Sequence, residues 1–83
     1  MANTINQNQL FKTQDLGLCG ALLVIGFELI DLDKSNPRKA LFVFNRDEGI
    51  DNAVNEYWSD RLQVNARDYF ETIKMIKSRI YST

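Results

Sequence analysis

The hydrophobic pattern of the chain changes period three times. From Leu16 to Ile25 the apolar residues Leu16, Leu18, Cys19, Ala21, Leu22, Leu23, Val24 and Ile25 stand nearly all round a helix. A helix of that kind is covered by neighbours on most sides. Thr13 is placed to cap it, because a hydroxyl accepts from the free amides of a first turn, and Asp15 lies where the helix dipole favours a negative charge. Gly17 and Gly20 each cost a helix about 1 kcal/mol relative to Ala, so their presence predicts a close-packed neighbour on that face. Gly26 is placed to end the helix in the left-handed region, with Phe27 folding back onto the last turn.

The period then falls to two. Phe27 to Leu32 reads as a strand, with Phe27, Leu29, Ile30 and Leu32 as its apolar content. Residues 33–38 (DKSNPR) are turn chemistry. Ala40 to Phe44 is a second strand, rich in β-preferring residues. Alternation puts Leu41 and Val43 on one face, and Phe42 and Phe44 on the other. So short a connection predicts an antiparallel hairpin. Both faces of its second strand are apolar, so one packs on helices and the other needs a cover or serves as a contact surface.

Helical spacing returns at Ile50, Ala53, Val54, Tyr57 and Trp58, with Asn45 or Asp47 placed to cap. Ser59-Asp60-Arg61 breaks this helix. Asn65 caps a last one, with Asp68 three residues on. Tyr69, Ile73, Ile76 and Ile80 form its apolar stripe, and Lys74, Lys77 and Arg79 crowd the end where cations suit the dipole. The order helix, strand, strand, helix, helix predicts a single small α+β domain over residues 10–83, with a two-stranded antiparallel hairpin packed on helices. Residues 1–9, polar and rich in Asn and Gln, read as a flexible N-terminal arm. A two-stranded hairpin is marginal without a helical cover or a second copy to extend it, which makes self-association through the hairpin the expectation.

Composition narrows the chemistry. The 83 residues suffice for one domain, and 45% apolar with 25% charged content is that of a globular chain rather than a disordered one. There is no His, which removes the commonest general base and metal ligand. Cys19 is the sole cysteine, so neither an internal disulfide nor a cysteine-based zinc site can form. Its place in an apolar run argues against a reactive thiol. The longest apolar run, Leu16 to Phe27, is shorter than the ~20 residues that span a bilayer. Met1 to Gln9 lack the basic start and apolar stretch of a secretory leader. These features fit a cytoplasmic protein.

The net charge of −1 conceals a partition. Residues 1–60 hold 5 basic and 9 acidic side chains, whereas residues 61–83 hold 5 basic and 2 acidic. On the last helix Phe70, Lys74, Lys77 and Tyr81 share a face, with Arg67 a turn earlier. Basic side chains interleaved with aromatics can track a phosphate backbone and stack on bases. Asp31, Asp33, Asp47, Glu48 and Asp51 form an acidic group of a kind that can bind Mg²⁺ or do acid–base work. Residues 47–51 lack the spacing of an EF-hand loop, and the group reads as a solvated strand end and a helix start where the dipole favours negative charge. Arg38 to Phe44 carries basic residues followed by alternating aromatics, without the second aromatic strand of an RNA-recognition module. No phosphate-binding glycine loop is present.

Residues 11 to 82 resemble a family of small bacterial, archaeal and phage-borne domains of unknown function. The likeness rests on ordered pieces: Phe11-Lys12-Thr13 with Asp15-Leu16, Gly26-Phe27-Glu28-Leu29, Phe42-Val43-Phe44, Tyr57-Trp58, Tyr69-Phe70, and Ile76-Lys77-Ser78-Arg79-Ile80-Tyr81. The resemblance implies no activity, cofactor or catalytic residue. Gly17-Leu18-Cys19-Gly20 stands where bulkier or alanine-rich residues are usual in the family, so packing at the first helix is expected to differ here.

The sequence therefore points to a non-enzymatic, self-associating interaction module with no catalytic residue, cofactor, metal site or small-molecule substrate. Phe42, Phe44, Tyr57 and Trp58 are its candidate partner contacts, toward a second copy or another protein. The alternative is a nucleic-acid-binding accessory protein using Arg67, Lys74, Lys77 and Arg79.

Overall fold

In a computed structural model, which describes residues 9–82, the chain folds as an α+β domain. Its elements are β1 (Leu10–Thr13), α1 (Leu16–Ile25), β2 (Leu29–Asp33), β3 (Leu41–Asn45), α2 (Ile50–Trp58) and α3 (Ala66–Tyr81), with a short 3-10 turn at Pro37–Lys39. The expected arm over residues 1–9 lies outside the described residues except for Gln9, whose carbonyl accepts from Arg46 N–H at 2.8 Å.

The expected hairpin is present as β2 and β3, and a third strand joins it. The sheet order is β1-β3-β2, antiparallel throughout. β1 pairs Phe11 with Phe44 and Thr13 with Phe42. Its four residues carry too short a pattern to be distinguished locally from a helix entry. The partner strand, some 30 residues on, makes it a strand. The central position therefore goes to β3, the most apolar of the three. A β-bulge interrupts β2 between Leu29 and Asp31. The extra residue, Ile30, is 42% exposed, and the bulge brings both Leu29, opposite Phe44, and Leu32, opposite Phe42, onto the inner face despite their odd spacing.

All three helices pack on the inner sheet face. Phe42 and Phe44 meet Leu18, Cys19 and Leu22 of α1, Ile50 and Ala53 of α2 and Ile76 of α3 in one core. On the outer face Val43 lies between Lys12 of β1 and Asp31 of β2.

The helix ends differ in how they are capped. Asp15, rather than Thr13, caps α1, accepting from Leu18 N–H at 2.8 Å, while the Thr13 hydroxyl accepts from Asp15 N–H at 3.1 Å. Two residues thus share the entry. Gly26 closes α1 at φ +126°, with its amide and that of Phe27 returned to Leu22. Neither Asn45 nor Asp47 caps α2 with its side chain. The chain enters through Gly49 at φ +92°, and the Asp47 carbonyl takes Ile50 N–H at 3.1 Å. Asn65 caps α3 as expected, its side chain accepting from Asp68 N–H at 2.9 Å.

Gly20 faces side chains of α3, and Gly17 faces tyrosines of both α2 and α3. A Cβ at Gly20 would stand 2.5 Å from Ile73 Cδ1, and one at Gly17 would stand 2.5 Å from the Tyr57 hydroxyl. Tyr69 OH donates to the Gly17 carbonyl at 3.2 Å. The glycines cost α1 helix propensity and gain this contact, as their place in an apolar run suggests.

Candidate binding surface

Phe42 and Phe44, offered by the sequence as partner contacts, are 1% and 0% exposed. The helices cover the very face they occupy, so no partner reaches them in the folded chain. Tyr57 is half-buried and turned inward: its hydroxyl donates to Asp15 Oδ1 at 3.5 Å. Burial, followed by the Asp15 carboxylate and Tyr69, raises its pKa above the ordinary 10.0. Only Trp58 of the four faces solvent, 61% exposed at the end of α2, with its ring edge-on to Tyr57 at 5.0 Å. The i+8 position falls on the last residue of the helix, beyond the reach of the core.

The basic residues of α3 do not act as one group. Each residue advances about 100° around a helix, so Arg79 stands about 160° round the axis from Lys77. Arg67, Lys74 and Lys77 share one flank with Phe70 and Tyr81. Arg79 lies on the other, where it lines a cavity of about 290 Å³ with Leu29, Ile30, Asp31 and Leu32 of β2. At that end Lys34 donates to the carbonyls of Arg79 at 2.9 Å and Ser82 at 3.1 Å. This ties the loop after β2 to the negative end of α3. The partners of that cap are 45 and 48 residues apart, beyond the reach of any local pattern.

The first flank is the most exposed aromatic surface described. Phe70 is 61% and Tyr81 74% exposed. Lys74 Nζ lies 5.1 Å from the Phe70 ring centre and 3.8 Å from Glu71 Oε1. Lys74, Lys77, Ser78, Tyr81 and Ser82 line a shallow groove of about 620 Å³ beside them. A surface of this make-up holds an apolar face and a positive charge together in water. Among the described residues no group of three or more His, Cys, Asp or Glu side chains is placed to hold a metal, and no helix is long and apolar enough to cross a membrane.

A family model described as a domain of unknown function, DUF5659, matches residues 8–82. The chain belongs to that family. The match takes in every strand and helix described above, so the sheet, the glycine contact and the α3 flank all lie inside the family's domain. No curated protein and no solved structure matches the chain.

Proposed function

We propose that this chain is a non-enzymatic binding module that holds an acidic partner through the outer flank of α3. One observation carries the reading: Phe70 and Tyr81 stay 61% and 74% exposed at the two ends of a row that includes Lys74 and Lys77. Large apolar rings left in water beside cations favour a ligand that covers the rings and answers the charge. The rest of the chain supports this by what it lacks for catalysis, since it has no His and its one thiol is buried. A buried free thiol also suits a reducing cytoplasm.

Retention on a heparin column tests the reading. A protein with a net charge of −1 has no bulk reason to bind a polyanion. Retention that is lost in Lys74→Gln/Lys77→Gln supports the flank as the contact surface; flow-through of the unaltered protein refutes it.

Self-association is the second reading, favoured by Trp58, whose exposed ring suits an interface anchor. Buried Phe42 and Phe44 take no part in it. Sedimentation equilibrium should then show a dimer that Trp58→Ala dissociates, and a monomer at high concentration refutes it.

A further inference from the structure

Resting on the α3 flank as the contact surface, we infer that its ligand is single-stranded nucleic acid, with Phe70 and Tyr81 as stacking platforms and Lys74 and Lys77 as the phosphate contacts between them. Phe70 and Tyr81 are eleven residues apart, about 16 Å along the helix axis. At the ~3.4 Å spacing of a stacked strand that distance covers about five nucleotides, and fewer when the bases are splayed. The two lysines fall between the rings, where the backbone of a strand running along the helix would pass.

The form of the surface selects single strands over other polyanions. Phe70 stands outside any groove and Tyr81 beside a shallow, open one, so neither ring is enclosed. A flat exposed ring offers little to an acidic peptide, whose anchor residues need an enclosed, dry site. It does offer a π-face to any unstacked base, which is why such platforms tolerate every sequence. A duplex keeps its base faces stacked inside and could use only the lysines. The groove beside Tyr81, about 620 Å³ and lined by Lys74, Lys77, Ser78 and Ser82, is open enough for a base to lie against the phenol ring. Glu71 is the acidic neighbour on this flank, and Lys74 already answers it at 3.8 Å. Lys77 is in neither of the ion pairs found among the described residues.

Fluorescence anisotropy with a labelled oligothymidylate, at low and at moderate salt, tests this on the whole chain. Phe70→Ala and Tyr81→Ala should each weaken binding by about 5- to 150-fold, the range for losing one base–aromatic stack. Lys74→Gln/Lys77→Gln should flatten the plot of log affinity against log salt by about 1.4, from about 0.7 per phosphate contact on a single strand. Arg79→Gln, on the opposite flank, should change little. An abasic strand of equal length should bind no better than the oligothymidylate binds to the Phe70→Ala/Tyr81→Ala protein. All four positions are exposed, and circular dichroism confirms that the variants fold. The inference is overturned by no binding at low salt, by equal affinity for the abasic strand, or by an Arg79→Gln loss as large as that of the lysine pair. It is also overturned if polyglutamate binds more tightly than oligothymidylate and loses affinity in the same variants. In that case the surface stands and the ligand class falls. Failure on heparin as well removes both.

Discussion

Gly20→Ala probes the contact between α1 and α3 directly, because two effects of opposite sign meet at one atom. Alanine restores about 1 kcal/mol of helix propensity. Its methyl would stand 2.5 Å from Ile73 Cδ1, 3.3 Å from Ile73 Cγ1 and 3.4 Å from Tyr69 Cε1. Overpacking of this kind costs ~1–3 kcal/mol. The net effect is a loss of ~0–2 kcal/mol, near the low end because the clashing atom is the tip of a side chain. Ile73→Val deletes that tip and alone costs ~0.5–1.5 kcal/mol. In the double variant the alanine methyl occupies the space the tip leaves. The pair should therefore cost less than the two single changes together, by about 1 kcal/mol or more. Urea unfolding with an unchanged slope reads all three differences. In a chain of this size 1 kcal/mol moves the thermal midpoint by ~4–8 °C, well within measurement. Additivity within ~0.3–0.5 kcal/mol would show that Gly20 and Ile73 do not meet, and the reason given for the glycine would fall.

Phe44→Ala should cost ~3–5 kcal/mol, a large share of the ~4–12 kcal/mol expected for the whole domain, while Trp58→Ala should stay within about 0.5 kcal/mol; equal losses on denaturant unfolding would contradict their burial. Lys34→Met should lower amide protection in the last turn of α3 at a cost of ~0.3–1 kcal/mol, and unchanged hydrogen exchange there would exclude the cap. Burial pushes the Cys19 thiol from 9.0 up to about 12, with the charge of Arg79 acting the other way. The folded pKa lies above the unfolded one, so the thiol's contribution is complete below pH 9.0 and is lost as the pH rises toward about 12. Urea midpoints should fall across that window, more gently in Cys19→Ala, and identical slopes in the two proteins would refute the assignment.

Much of this fold can be read locally. The stripe Tyr69, Ile73, Ile76 and Ile80 marks the inner face of α3, and Asn65 its start, because both signals lie within one or two turns of chain. The alternation in Leu41 to Phe44 separates the two faces of β3 for the same reason. β1 could not be found this way: Leu10 to Thr13 is a strand only because β3 pairs with it. The bulge in β2 left a trace, since Leu29 and Leu32 are three apart where strict alternation requires two. At the candidate site, shared helical spacing of Phe70, Lys74, Lys77 and Tyr81 was enough to group them, and the same geometry separates Arg79. What spacing does not supply is which apolar face the helices cover. That is decided by packing, and it removes Phe42 and Phe44 from any contact surface.

The central place of β3 also bears on how the protein avoids aggregation. Residues 40–44 (ALFVF) combine strong β preference with no charge and no proline, the make-up of a segment that stacks with copies of itself. In the sheet both of its edges are occupied, by β1 and by β2. The strands left at the rim carry Lys12, Asp31 and Asp33, and β2 is bent by its bulge, all of which discourage a further chain from adding on. Four residues, Leu10–Thr13, thus act as a guard strand. Detaching them would unseal one side of the most adhesive segment in the chain, and lost solubility would be a sign of it.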